Sequence, residues 1–147
     1  MPRVLVIRGG AIGDFILTLP AIRLLRDNIP DAHIEILGYK PIIELAVAAR
    51  IADSTRSLDH AAMARLFVPG ADLCRALRNY FRSFHLIVSY LFDPDNILRG
   101  NMEAMGVSAC LAASHEVTPG AGHAAEQLAR PLERLAMFLD DPVASIR

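Results

Sequence analysis

Four consecutive branched aliphatic residues, Val4-Leu5-Val6-Ile7, lead into Arg8-Gly9-Gly10-Ala11-Ile12-Gly13-Asp14 and then into an apolar pattern of helical period. A strand without polar alternation suits a parallel sheet covered on both faces, and a glycine-bearing loop carries it into the covering helix. That helical pattern puts Leu17, Ile22, Leu25 and Ile29 on one side, with Arg23, Arg26 and Asp27 facing out. Pro20 lies inside it. The proline predicts a kink, or a short first turn followed by a main helix from about Leu19.

The alternation continues downstream. His33–Leu37 reads as a second strand, and Pro41 opens a helix over Ile42–Ala49. A short third strand is predicted within Asp53–Leu58. Asp72 reads as the N-cap of a helix reaching Phe84, with Leu73, Ala76, Leu77, Tyr80 and Phe81 inward. Leu86–Tyr90 is a further buried strand, Ile97–Met105 a helix and Ser108–Ala112 a last short strand. The breaker cluster Thr118-Pro119-Gly120-Ala121-Gly122 precedes a long helical pattern, His123–Leu139. Strands alternating with helices give an α/β fold, doubly wound around a mainly parallel, Rossmann-like sheet. One domain accounts for the 147 residues, with 123–139 as its closing helix.

Composition excludes several classes. With 53% hydrophobic residues there is material for one core, and a net charge of −1 argues against a nucleic-acid partner. The cations are fourteen arginines and Lys40, scattered along the chain. The two cysteines, Cys74 and Cys110, have no ligand spacing, so neither a disulfide framework nor a zinc site is read, and a reduced cytoplasmic location fits. The longest apolar stretch, Phe84–Phe92, contains His85 and Ser89 and is too short to span a bilayer.

In a doubly wound sheet, ligands bind beyond the carboxyl ends of the strands. The loop residues Gly10, Ala11, Ile12 and Gly13 are therefore the first candidates, since they allow close backbone approach at a helix N-terminus. A dinucleotide fingerprint would need glycine where Arg8 stands, and no G-K-[ST] follows for a P-loop. Asp14 would repel a phosphate there; by spacing alone it reads as a helix N-cap. Asp93-Pro94-Asp95 has metal-binding D-x-D spacing, but Asp-Pro is ordinary turn chemistry and no metal is assigned to it. Asp93 and Asn96 follow a strand end and are candidate acceptor contacts in the same cleft as Asp14. Arg75, Arg78 and Arg82 form a stripe on one helix, suited to phosphorylated sugars, an anionic membrane or simply solvent. His123 and Glu126 are one turn apart without a second pair, and no G-x-S-x-G elbow occurs.

The stretch Arg3–Asp14, followed by Leu17-Thr18-Leu19-Pro20-Ala21-Ile22-Arg23-Leu24-Leu25-Arg26 and Pro30-Asp31-Ala32, resembles the opening of family 9 glycosyltransferases, which include the lipopolysaccharide heptosyltransferases. His123–Leu139 is similar to the helix that closes the family's first domain. The resemblance implies the N-terminal half of a GT-B fold, in which two Rossmann-like domains face each other across the active site. It implies a glycolipid or saccharide acceptor, often of the lipopolysaccharide core, on this half. A nucleotide-sugar donor such as ADP-heptose would bind the other half, without metal or further cofactor. Asp14 takes the position of the proposed general base for inverting transfer.

Family members carry a second domain of similar size, and this sequence ends where it would start. The resemblance therefore implies that the chain alone transfers no sugar. It would be a truncated product, one part of a split enzyme, or a domain diverted to binding. The partners implied are a second-domain polypeptide or another copy of the chain, covering the groove around the first loop and last helix. Cytoplasmic location with peripheral contact to the inner membrane follows from the same likeness. The competing class is a non-catalytic Rossmann-like module binding nucleotide or protein. A receiver-type domain would want an acidic cluster with a supporting lysine, and Lys40 follows the second strand instead.

Overall fold

The computed structural model of the chain describes residues 2–10, 12–59, 61–91, 93–107 and 109–112. Five strands, β1 (Arg3–Arg8), β2 (His33–Gly38), β3 (Ser54–Ser57), β4 (Leu86–Ser89) and β5 (Cys110–Ala112), form one sheet in the order β3-β2-β1-β4-β5. Every pairing is parallel. The helices are α1 (Ile12–Asn28), α2 (Lys40–Ala48), α3 (Arg75–Arg82) and α4 (Ile97–Ala104), with a 3-10 helix over Ala61–Phe67. The expected closing helix 123–139, the Thr118–Gly122 breaker and the His123/Glu126 pair lie outside the described residues.

β1 is central, which explains its unbroken apolar run. Val4 and Val6 enter one core with α1 and α2, while Leu5 and Ile7 enter a second core with the 3-10 helix, α3 and α4. All four are at most 1% exposed. Burial of this kind stabilises the fold by roughly 1.5–3 kcal/mol per side chain. The sheet is thus covered on both faces, and the fold is doubly wound α/β.

Three local expectations are corrected. Pro20 does not divide α1, which runs from Ile12 to Asn28 with Pro20 buried inside it. The turn before the proline is secured from outside the ladder, because Thr18 Oγ1 and Arg8 Nη2 both donate to the carbonyl of Asp14, at 2.8 and 3.3 Å. Asp72 is not an N-cap: α3 starts at Arg75 after Cys74, and its first turn has no side-chain cap. Ala76 consequently points outward, while Leu77 and Phe81 are buried. The 3-10 helix has no counterpart in the sequence reading, since only Met63 and Leu66 of its seven residues are buried.

The edge strand β3, Ser-Thr-Arg-Ser, has no apolar side chain and is held by polar groups. Ser54 Oγ donates to Glu35 Oε1 at 2.6 Å, and the Tyr80 hydroxyl donates to Glu35 Oε2. With its proton committed to Glu35, Ser54 Oγ accepts from His33 Nε2 at 2.7 Å, which assigns the proton on that imidazole nitrogen. The Tyr80 phenol is pushed far above its ordinary value, by burial first and then by Glu35, so it stays a donor. Asp53 ties the strand start to β2 and α1 by accepting from the Ile34 N–H and from Arg26 Nη2, both at 2.8 Å.

Candidate functional site

The order β3-β2-β1-β4-β5 has its switch point between β1 and β4, where the chain leaves neighbouring strands in opposite directions. Ile7 pairs with Ser89 there, so the loops following β1 and β4 leave the same sheet edge side by side. Gly9 marks the meeting place. A Cβ on it would stand 3.1 Å from Leu91 Cδ2 and 3.7 Å from Tyr39 Cε2, so the loops after β4 and β2 both close on the β1 loop.

Gly10 has φ +82°, in the left-handed region, and a Cβ there would meet Asp14 Oδ2 at 2.7 Å. The positive φ asks for glycine, while the contact would be met by turning the exposed Asp14 carboxylate aside. Gly13 differs: nothing lies within 4 Å of the place a Cβ would take, so the start of α1 presents bare backbone to open space. Ile12, the residue before Gly13, and Tyr39, beside Gly9, are 41% and 40% exposed. Ala11 lies outside the described residues.

Asp14 sits inside the first turn of α1, not at its cap. The N-cap reading from spacing is therefore corrected: helical geometry already includes Ile12 and Gly13 before it. Its side chain is 51% exposed, and Oδ1 is 4.0 Å from Arg8 Nη2. Arg8 ends β1 and is 2% exposed, with its guanidinium 5.6 Å above the Tyr90 ring. Burial lowers the Arg8 guanidinium from its ordinary value, while Asp14 and Tyr90 act in the opposite direction. The buried Tyr90 phenol is raised by its burial, with Arg8 pulling it back. A cation under the loop thus grips the first turn by its carbonyl and stands beside the carboxylate.

Asp93 and Asn96 follow β4 at the same edge, and their local work is visible. Both Asp93 oxygens accept from the first turn of α4, Oδ1 from Leu98 N–H and Oδ2 from Arg99 N–H, each at 3.0 Å. Asn96 adopts φ +57°, a conformation its short amide side chain tolerates. Together they shape the β4–α4 loop. Among the described residues, no group of three or more His, Cys, Asp and Glu side chains is placed to hold a metal ion.

Arg8 and Tyr39 are the members of this site that the sequence did not single out. Arg8 registered only as a mismatch to a glycine fingerprint, although a charged residue ending a fully buried strand is itself a signal. Tyr39 follows the carboxyl end of β2, where the same strand-end rule applies. Among the described residues no helix is long and apolar enough to cross a membrane.

No protein-family model and no curated sequence matches the chain. Solved structures do. A glycosyl transferase family 9 protein from Veillonella parvula superposes with a TM-score of 0.66 at 16% identity, over 98% of this chain and 43% of that one. The E. coli heptosyltransferase WaaC with ADP gives 0.57 at 14% identity, over 98% of this chain and 50% of the other. WaaC with ADP-2-deoxy-2-fluoro heptose gives 0.54 at 14% identity, over 98% and 51%. The chain thus spans about half the length of these proteins or less. The likeness first seen in Arg3–Ala32 holds at the level of the fold.

Proposed function

We propose that this chain is the acceptor-side domain of an inverting family 9 glycosyltransferase, with Asp14 as the general base. One observation carries the reading: a half-exposed aspartate at the switch point, beside the uncovered backbone of Gly13 and held next to a buried arginine. The fold shared with family 9 structures supports it.

Inverting transfer joins an acceptor hydroxyl oxygen to the anomeric carbon as the bond from that carbon to the nucleoside diphosphate breaks. The hydroxyl proton goes to the base, and the diphosphate leaves with the bonding electrons. Asp14 is accessible enough to take that proton, and Arg8 beneath the loop steadies its helix turn. Tyr39 and Ile12 offer apolar walls for the ring of a saccharide acceptor, and the space at Gly13 lets it approach the backbone. The donor, a nucleotide sugar such as ADP-heptose, would be held by a second domain on the far side of the cleft. Location at the cytoplasmic side of the inner membrane belongs to the same proposal.

The test is Asp14→Asn in the enzyme comprising this domain and its donor-binding half. The expected result is a fall in kcat of about 100-fold or more, with acceptor KM little changed. Undiminished turnover would remove Asp14 from the chemistry and with it the catalytic reading.

A further inference from the structure

The chain leaves α2 through a turn that ordinarily asks for glycine. Arg50 N–H donates to the carbonyl of Val47 at 3.2 Å, and Ile51 N–H reaches back to that of Ala46 at 3.0 Å. This paired closure of a helix end puts the residue between cap and exit in the left-handed region. Arg50 occupies that place at φ +53°. A cation is welcome at the carbonyl end of a helix, but the last turn of α2 offers unstrained positions for one and carries none. The strained position itself therefore calls for an explanation, and strain of this kind collects where a side chain is put to use.

The Arg50 turn closes one side of a pocket of about 320 Å³ against the second half of α1. Leu19 and Ile22, both buried, lie at its base, and the half-buried Ile51 adds a third branched aliphatic side chain. Around them stand three guanidinium groups, Arg23, Arg26 and Arg50, and one carboxylate, Asp27. Arg26 is held in place, since Nη1 donates to the carbonyl of Ala32 and Nη2 to Asp53 Oδ2, each at 2.8 Å. Setting Asp27 and Asp53 against the arginines still leaves the pocket cationic. The α2 carbonyls of Ala46 and Val47, which would oppose an anion, are already bonded by the Ile51 and Arg50 N–H groups. The pocket is also remote from the switch point: Arg23 and Arg26 lie about 14–18 Å beyond Asp14 along α1.

We propose that this pocket is a second ligand site for a small organic phosphate. The apolar body of the ligand rests on Leu19, Ile22 and Ile51, and its phosphate meets Arg23 and Arg50. The volume stands at the small end for ligand pockets, which suits a single ring with one phosphate. Guanidinium forks match phosphate oxygens in pairs, and a dianion answers two of them where a carboxylate answers one. Asp14 has no part in this site, and the inference stands whether or not Asp14 is the base.

The test is a titration of the 15N-labelled 147-residue chain with phenyl phosphate, read by amide chemical shifts. Saturable shifts are expected at Arg23, Asp27, Arg50 and Ile51, with a Kd of about 1 mM or lower that rises with salt. Benzoate lacks the second charge and inorganic phosphate lacks the apolar body, so each should bind about 10-fold more weakly or worse. Arg50→Gly takes the left-handed backbone without strain; it should lose about 10-fold in affinity while melting no lower than the parent chain. Arg23→Gln should weaken binding likewise, and Arg75→Gln on the other layer should leave it unchanged. Absence of saturable binding, shifts centred on Gly9–Asp14, or benzoate binding as tightly as phenyl phosphate overturns the proposal. So does undiminished affinity in a folded Arg50→Gly or Arg23→Gln chain, or an equal loss in Arg75→Gln. A lower melting temperature in Arg50→Gly would assign that arginine to the helix end and overturn it as well.

Discussion

At the residue scale the loop after β1 contains glycines of opposite kinds. Gly10 is demanded by the fold through its positive φ, and it also lies close to the movable Asp14 carboxylate. Gly10→Ala should cost about 1–2 kcal/mol from the left-handed backbone alone, read as a lower urea midpoint, and should displace the Asp14 carboxylate as well. Gly13 is not demanded by anything inside the described residues, since a methyl there would meet open space. Gly13→Ala should therefore stabilise the chain by up to about 1 kcal/mol. On the proposed reading the same methyl fills part of the acceptor's approach, so affinity for a core oligosaccharide should fall while the melting temperature rises. A variant that is more stable and binds as before would show that the opening has no ligand.

At the element scale the informative piece is β3. Its four polar residues have no hydrophobic reason to join a sheet, and its register rests on Glu35, Asp53 and their donors. The Asp53 carboxyl lies below its ordinary value. Burial alone would raise it, but the Ile34 N–H, the Arg26 guanidinium and His33 together more than offset that. A carboxyl lowered in the folded state contributes stability that is fully present above about pH 4 and is lost as pH falls through the folded value. Asp53→Asn should therefore destabilise the chain at neutral pH, and the gap to wild type should close on acidification. Urea titrations of both proteins at pH 7 and in acid check this; a gap independent of pH would mean the carboxylate's charge is irrelevant. The pair is partly exposed, so the neutral-pH effect is modest and salt-sensitive.

At the scale of the whole molecule, the sheet order brings separate loops to one edge, and the arginine-rimmed pocket between α1 and the end of α2 lies away from it. On the proposed reading, these 147 residues supply the acceptor side of the cleft. The purified chain should bind a core oligosaccharide with changes centred on Gly9, Asp14, Tyr39 and Leu91, and should consume no ADP-heptose. Turnover by the chain itself would show that the domain is complete as a catalyst.

Much of this was legible in the linear sequence because it depends on local rules. An unbroken Val-Leu-Val-Ile run can be satisfied only by a strand covered on both faces, and alternation with helical periods fixes a parallel sheet. The strand-end rule then points to Gly10, Gly13 and Asp14. What local rules cannot supply is pairing across the chain. The grip of Arg8 on the first turn of α1 is invisible in the spacing, and so is the convergence of Tyr39 and Leu91 on Gly9. Asp93 caps the first turn of α4, a role spacing did not show, and Asp14, offered as a cap, sits within a helical turn. Each of these depends on which backbone N–H a carboxylate can reach. That distance is set by how the β1 and β4 crossovers pack on the sheet, and only the tertiary structure decides it.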